Sequence, residues 1–326
     1  MLVAVLLFVL GLICLIKGGD WFVDGSTGIA RAFRIPEILI GATVVSIGTT
    51  LPEVMVSATG AIGGHSEMAY GNAIGSIICN TALIAAITIA FKPSKVDKKS
   101  LVVPVAFFFT SFALYAATAY IAGYFDRIVG STLLVIFVVY IIVSVRQARN
   151  NPDKSHEDSV EEGENEKGKV RPLWLDIVLL IIGAALIAVG ARLLVDNGTI
   201  IATELGVPES VIALTFVALG TSLPELVTSV TSLIKGHGAL GLGNVIGANI
   251  FNLVLVSGLA TVLSPFAVPA QKTLLGVNAS LLVDLPVALI AMLILTLPAL
   301  SKGKMFRVQG IVLLLMYFGF CVFQFA

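Results

Sequence analysis

The sequence predicts an all-α integral membrane protein: ten transmembrane helices in two inverted five-helix repeats, with broken helices at the membrane midplane. Three observations lead to this prediction. The chain of 326 residues is 57% hydrophobic and only 12% charged, so it has too few charges to cover a water-facing surface. It contains ten apolar stretches, and its two halves share one sequence pattern. Because each half holds five stretches, the second half must cross the membrane in the opposite sense.

The ten apolar stretches predict the helices, since most are long enough to cross a hydrocarbon core of ~30 Å. They cover residues 2–16, 36–62, 68–91, 101–122, 128–145, 173–195, 207–234, 239–263, 273–297 and 305–325. One long polar segment, 146–171, lies between the fifth and sixth stretches and predicts a solvated loop. We therefore divide the chain into a first repeat at 1–145, a polar cytoplasmic loop at 146–172 and a second repeat at 173–326.

An internal duplication relates the two halves. A shift of 172 residues aligns 41–80 with 213–252, and 18 of these 40 positions are identical without a gap. The motif GTTLPE at 48–53 falls on GTSLPE at 220–225, and GNAIGSIICN at 71–80 falls on GNVIGANIFN at 243–252. The second half of the chain is therefore a sequence repeat of the first half.

The distribution of basic residues predicts the orientation. Placing the N-terminus outside puts 17 of the 20 Lys and Arg residues on cytoplasmic segments, as the positive-inside bias requires. Both termini are then outside the cell membrane and the central loop is cytoplasmic. Inverted repeats are typical of secondary transporters, whose substrate sites lie near the midplane.

Composition also excludes several classes of protein. The 20 acids balance the 20 bases, so charge favours no nucleic-acid partner. The isolated cysteines Cys14, Cys79 and Cys321 are interpreted as small lipid-facing or packing residues. Without a nucleophile motif, a phosphate loop or a redox motif, we expect no enzyme activity and no cofactor, and only inorganic cations and the bilayer as partners.

Two glutamates in apolar segments are the first candidate site residues. Glu53 and Glu225 occupy equivalent positions, and an acid at the bilayer centre costs at least ~2.5 kcal/mol. Pro52 and Pro224 precede them and cannot donate a backbone hydrogen bond, so each helix should break or kink there and leave the carbonyl oxygens of Gly48 and Gly220 unpaired.

Hydroxyl groups on the same turns complete an all-oxygen set of ligands. They belong to Thr49, Thr50, Thr221 and Ser222. Carboxylate, hydroxyl and carbonyl oxygens suit Ca²⁺, Na⁺ or H⁺ better than zinc or copper. Two carboxylates carry about two negative charges, which one Ca²⁺, two Na⁺ or two H⁺ can neutralise. Competition for the same charge predicts antiport.

The second motif of each copy adds amides along the next helix. Ser76 and Asn80 lie four residues apart, on one helix face. We interpret Asn80 and Asn252 as oxygen ligands, whereas Gly75 and Gly247 could equally serve close helix packing.

The paired, inverted motifs resemble those of the calcium/cation antiporter superfamily, with its prokaryotic sodium/calcium exchanger branch the most similar. The resemblance covers nearly the whole chain and implies ten helices and Ca²⁺ export driven by Na⁺. It implies Glu53 and Glu225 as central ligands. It also implies the surrounding ligands, which are Thr49, Thr50, Ser76, Asn80, Thr221, Ser222, Asn252 and the carbonyls of Ser46 and Ala218.

Two departures from the superfamily pattern keep alternatives open. Several sodium-exchanging relatives have an acid at the position of Asn252 and a hydroxyl at that of Ala248. Exchange of Ca²⁺ or another cation against H⁺ is therefore the alternative to Na⁺ exchange, and a gated cation channel is a more distant one.

Other polar residues receive structural interpretations. We expect a helix-end or packing role for Asp284, plain turns at His65 and His237, solvated positions for Asp20, Asp24 and Asp196, and a solvated linker at 153–166.

Overall fold

A computed structural model describes residues 2–64, 67–93, 95–150, 171–205, 220–270, 273–274 and 276–325. Helices dominate the described part of the chain. The first half contains α1 (Leu2–Phe33), α2 (Glu37–Ile40), π1 (Gly41–Val45), α3 (Ser46–Thr49), α4 (Leu51–Ile62), α5 (Glu67–Cys79), π2 (Asn80–Ala85), α6 (Ala86–Phe91), α7 (Lys98–Ala117), π3 (Thr118–Ala122), β1 (Tyr124–Phe125) and α8 (Arg127–Asn150).

The second half repeats this order with local differences. It contains α9 (Leu173–Glu204), α10 (Leu223–Ile234), α11 (Gly238–Phe251), π4 (Asn252–Val256), α12 (Ser257–Leu263), β2 (Phe266–Ala267), β3 (Thr273–Leu274), β4 (Val277–Asn278), π5 (Ser280–Asp284), α13 (Leu285–Lys302) and α14 (Arg307–Phe325). The segments labelled π are single π-helical turns within longer helices.

The length and hydropathy of the described helices confirm a multi-pass membrane protein. Eight of them are long and apolar enough to cross a membrane, and the bent pair Glu37–Thr49 and Leu51–Ile62 makes up to nine. Of the predicted seventh stretch, 207–234, the structure describes only the second part, as α10. Of the predicted polar loop at 146–171, residues 151–170 lie outside the described part of the chain.

Several predicted boundaries are wrong. Helix α1 continues to Phe33 rather than ending at residue 16, α9 continues to Glu204 rather than 195, and α8 includes residues 146–150, which were assigned to the loop. Charged residues lower the hydropathy of these helical ends but do not interrupt their backbone hydrogen bonds. The predicted ninth stretch begins instead with the β3–β4 pair, and its helix starts at Ser280.

The two most buried helices lie at the centre of the molecule. In Gly238–Leu263, 83% of the membrane-spanning window is buried, and in Ala69–Phe91 67% is buried, against 28% or less in α1, α8, α9 and α14. These two helices carry amide side chains such as those of Asn80 and Asn252, which lipid tails cannot hydrogen-bond, so protein must surround them. The equivalent third and eighth helices therefore form the core, and the outer helices present apolar side chains outward.

Helices α1 and α9 pack against each other along their length as an outer pair. Small residues allow this close approach: a Cβ atom on Gly18 would lie 2.9 Å from the carbonyl oxygen of Gly183, and one on Gly11 would lie 2.9 Å from that of Gly190. Such small-residue contacts are a common way for helices to pack in membranes.

Short backbone contacts join the two halves at both ends of the bundle. At one end, β1 pairs antiparallel with β2, with Phe125 opposite Phe266. At the other end, an isolated antiparallel bridge joins Lys95 to Lys304.

Ion pairs join the two halves at the end that holds the Lys95 bridge. The ammonium of Lys235 lies 2.8 Å from Asp24 Oδ1 and 3.4 Å from Asp20 Oδ1. His237 Nδ1 lies 2.7 Å from Glu37 Oε1. Asp20 and Asp24 keep 39% and 35% of their side-chain surface exposed, as expected of solvated positions, and each also has a cationic partner across the repeat boundary. His237 follows the turn at Gly236, as expected, and its ring also contacts a carboxylate of the other repeat. His65 lies outside the described residues.

Candidate cation-binding site

The helix of the first motif bends at the predicted place. The axes of Glu37–Thr49 and Leu51–Ile62 meet at 45°, with Thr50 at the break. Pro52 lies in the first turn of α4, where its missing N–H costs no helical hydrogen bond. The predicted break is confirmed, and it places Glu53 at the start of α4.

The second motif has an equivalent start to its second half-helix. Helix α10 begins at Leu223, with Pro224 and Glu225 in its first turn. The N–H of Leu223 donates to the carbonyl of Gly220 at 3.4 Å, so the prediction of an unpaired Gly220 carbonyl is wrong. Residues 206–219 lie outside the described part of the chain, and the predicted ligand Ala218 is among them.

Glu53 and Glu225 both have no solvent exposure. Neither oxygen of the Glu53 carboxyl has a hydrogen-bond partner among the described residues, nor has Oε2 of Glu225. The hydroxyl of Thr50 donates to Glu225 Oε1 at a long 3.5 Å and so links the two motifs. Unpaired carboxylates in a dry site are very costly, and a bound cation or proton would remove that cost.

Two equivalent asparagines add unsatisfied oxygen atoms to the same core helices. Asn80 begins π2 and Asn252 begins π4, and both are fully buried. Neither amide oxygen nor amide nitrogen of either residue has a hydrogen-bond partner among the described residues. Single π-helical turns often occur at functional sites, where they redirect side chains. Sequence reasoning selected both asparagines but gave no sign of these turns.

The remaining predicted ligands lie on the same elements. Ser76 is 5% exposed on α5, Ser222 is 2% exposed at the start of α10, and Thr221 is partly buried in the preceding turn. Thr49 and Ser46 are buried on α3. Apart from Ala218, every predicted ligand is therefore on the bent helix, on α10 and the turn before it, or on the central third and eighth helices.

Asn244 is a site residue that sequence reasoning did not include among the ligands. Its side-chain oxygen accepts a hydrogen bond of 3.0 Å from the Thr49 hydroxyl, and its backbone oxygen accepts one of 3.0 Å from Ser46. The carbonyl of Ser46 meanwhile accepts the N–H of Thr50 at 3.0 Å. Asn244 thus fastens the end of the first half-helix to the central helix of the other copy. Its position in the G-N motif of the second repeat was the sequence feature that could have identified it as a site residue.

The first copy uses the equivalent asparagine differently. Asn72 donates to the backbone oxygen of Glu53 at 3.2 Å and to Ser57 Oγ at 2.8 Å. It therefore holds α4 within its own repeat, whereas Asn244 holds a helix of the opposite repeat. The duplicated motif does not give duplicated contacts.

A small cleft lies beside the two proline-containing turns. It has about 210 Å³ of free space between the outer α1/α9 pair and the two proline turns, and Thr49, Pro52 and Pro224 line it with residues of the outer pair. Thr49, a predicted ligand, and Pro224, which precedes Glu225, thus border the same cleft. Two buried carboxylates, hydroxyls and neutral amides can together bind a hard cation.

Comparison with known proteins identifies the family. The profile described as sodium/calcium exchanger protein matches residues 3–146 and 175–326. The chain belongs to the sodium/calcium exchanger family. Sodium/calcium exchanger MaX1 of Methanosarcina acetivorans is 33% identical over 350 residues, covering 98% of each chain. The membrane protein MJ0091 of Methanocaldococcus jannaschii, which is described as uncharacterized, is 38% identical over 314 residues, covering 95% of this chain and 94% of that one.

A solved structure of a family member has the same overall fold. The sodium-calcium exchanger NCX_Mj, soaked with Na⁺ and Sr²⁺, aligns over 97% of each chain with a TM-score of 0.78 and 33% identity. The predicted family resemblance is confirmed, and the chain is a member of a family of membrane cation exchangers rather than of enzymes.

Proposed function

We propose that this exchanger-family member carries Ca²⁺ in exchange for Na⁺ across the cell membrane by alternating access. The observation that carries the proposal is the pair of fully buried glutamates, one from each motif, three of whose four carboxyl oxygens have no hydrogen-bond donor among the described residues. In this proposal Glu53 and Glu225 bind Ca²⁺ directly. Hydroxyl, amide and carbonyl oxygens of the residues predicted from the sequence complete its coordination.

Charge balance explains the exchange. A site with two carboxylates and otherwise neutral ligands holds one Ca²⁺ or two Na⁺ with no remaining charge. Asn252 keeps the site at two negative charges, since an acid there would add a third. The two ions cannot neutralise the same carboxylates together, so one must leave before the other binds well.

For the architecture we propose ten helices in two inverted repeats, at 1–145 and 173–326, joined by the cytoplasmic segment 146–172. Both termini are outside in this arrangement. The contacts between the repeats named above are compatible with it: in this arrangement β1 and β2 are both external, whereas the Lys95 bridge to Lys304 and the pairs of Lys235 and His237 are cytoplasmic.

The test is uptake of ⁴⁵Ca²⁺ into proteoliposomes that contain the purified protein. Parallel samples have an outward Na⁺ gradient, an outward H⁺ gradient or no gradient. We expect uptake to follow the Na⁺ gradient and to stop when Na⁺ is equal on both sides. Uptake that follows only the H⁺ gradient would replace Na⁺ by H⁺ as the exchanged ion, and uptake that needs no counter-ion would contradict antiport.

A further inference from the structure

Ion pairs fasten helix α1 to α10 at the end of the bundle that holds the Lys95 bridge. Lys235 directly follows α10, and its ammonium lies 2.8 Å from Asp24 Oδ1 and 3.4 Å from Asp20 Oδ1, both on α1. The same ammonium donates a hydrogen bond of 3.0 Å to the backbone oxygen of Asp20. Only 25% of the Lys235 side chain is exposed, so these contacts, which we call the Lys235 ion pairs, are screened less than pairs on an open surface.

A second cation, Arg171, also lies near one of these acids. Its Nη1 is 3.9 Å from Asp24 Oδ2. Arg171 precedes α9, which packs against α1 along its length, so this longer pair lies within the outer pair of helices. Substituting Lys235 therefore removes the ionic attachment of α1 to α10 and leaves Arg171 beside Asp24.

Helix α1 also covers the face of α10 that leads from Lys235 towards Glu225. Val227, Thr231 and Lys235 follow one another at intervals of four residues and therefore share one helix face. A Cβ atom on Gly19 of α1 would lie 2.8 Å from both Thr231 Oγ1 and Val227 Cγ1. The contact between the two helices thus extends from the Lys235 ion pairs to within one turn of the half-helix start, where Glu225 lies.

The equivalent helix face in the first repeat is uncovered. Met55 and Thr59 occupy the positions equivalent to Val227 and Thr231, and both are exposed, Met55 by 64%. Val227 and Thr231 are only partly exposed. Among the described helices, α9 has no packing on α4 comparable with that of α1 on α10. The outer pair therefore covers the half-helix of the second motif and leaves that of the first motif open.

The first repeat also cannot form the equivalent ion pairs. Gly63 stands at the position equivalent to Lys235 and offers no cation to α9. The equivalents of the two acids on α1 are Arg192 and Asp196 on α9, and their side chains pair with each other at 3.5 Å on the exposed surface of that helix. An ionic attachment of the outer pair at these positions is therefore possible at one end of the bundle and not at the other.

We propose that the Lys235 ion pairs bias the exchanger towards the state in which α1 covers α10, and that they break each time the site opens at this end. Alternating access in inverted repeats exchanges the arrangements of the two halves, so in the opposite state α9 covers α4 and α1 leaves α10. The ion pairs stabilise the first state and have no counterpart in the second, so they shift the equilibrium between the two. This inference rests on the alternating access proposed above, but not on which ions are exchanged.

The reaction of an introduced cysteine with a membrane-impermeant maleimide tests this bias. Thr231→Cys places a thiol on the face of α10 that α1 covers, in full-length protein whose three native cysteines are replaced by alanine. We expect Lys235→Gln to raise the labelling rate of this thiol about fivefold, the effect of losing ion pairs of this exposure. Lys235→Arg keeps the cation, and Arg192→Gln removes a pair that lies within one helix, so both should label like the parent protein.

A second substitution distinguishes a change of state from local loosening of α1. Thr59→Trp places a large ring on the face of α4 that α9 covers in the opposite state, so it should reverse the rise caused by Lys235→Gln. An unchanged labelling rate in Lys235→Gln, or a rise that Thr59→Trp does not reverse, would overturn the proposal. The labelling needs no ion gradient, so its failure would leave the proposed Ca²⁺/Na⁺ exchange standing, and a failure of Na⁺-driven ⁴⁵Ca²⁺ uptake would leave the labelling result unchanged.

Discussion

The variants Glu53→Gln and Glu225→Gln should each lose Ca²⁺ exchange by on the order of 100-fold or more. Glutamine keeps the size of the side chain but removes a negative charge. Because both carboxylates are fully buried, the lost charge cannot be replaced by solvent. Removing one partner of a buried ion pair costs about 3–5 kcal/mol, and every 1.4 kcal/mol is about a factor of ten in affinity.

The measurement is ⁴⁵Ca²⁺ exchange in proteoliposomes at matched protein content. Asp196→Asn is the control, since Asp196 is an exposed acid whose ion pair within the described residues is with Arg192 on the surface, at 3.5 Å. We expect this control to exchange Ca²⁺ at the rate of the parent protein. Exchange by either glutamine variant within a few-fold of the parent rate would exclude that glutamate as a ligand.

Substituting the equivalent motif glycines should have opposite consequences in the two repeats. A Cβ atom on Gly247 would lie 2.3 Å from Ser46 Oγ and 2.6 Å from Ala42 Cα, whereas one on Gly75 would meet no atom within 4 Å. Overpacking a core typically costs about 1–3 kcal/mol, whereas alanine is favoured over glycine within a helix by about 0.5–1 kcal/mol. Gly247→Ala should therefore destabilise the protein and Gly75→Ala should not.

The apparent melting temperatures of the purified variants test this difference. Only their order is interpreted, because membrane proteins often unfold irreversibly on heating. We also expect Gly247→Ala to reduce exchange, since its methyl group would push against Ser46 on the bent helix. Equal melting temperatures for the two variants would contradict the close contact between α11 and π1. That result would also mean that packing does not require glycine at position 247.

Much of this molecule could be predicted from the sequence because the membrane imposes simple rules on composition and length. Hydropathy located most of the helices, and the proline in GTTLPE located the break at Thr50. The ends of α1 and α9 were missed because charged residues such as Asp24 and Lys17 lower hydropathy while the helix continues. Lys235 of the other repeat forms an ion pair with Asp24, which allows a charged residue within α1. A partner so distant in sequence leaves no local sequence pattern.

At the candidate site, too, the sequence predicted the residues but not the contacts that they make with the other repeat. The duplication identified Glu53 and Glu225 and also Asn80 and Asn252, which are buried without sufficient hydrogen-bond partners among the described residues. It could not reveal that the equivalent asparagines Asn72 and Asn244 have different contacts, or that only one of the paired glycines is tightly packed. Packing between the repeats decides these details, and an alignment of one copy with the other contains no information about it.

The most direct test of the central claim, that Ca²⁺ and Na⁺ share one site between Glu53 and Glu225, is equilibrium binding of ⁴⁵Ca²⁺ to the purified protein during a Na⁺ titration. The account predicts Ca²⁺ binding that both glutamine variants abolish and that Na⁺ displaces competitively, with more than one Na⁺ for each Ca²⁺. Ca²⁺ binding that survives in both variants, or that stays constant as Na⁺ rises, would contradict it.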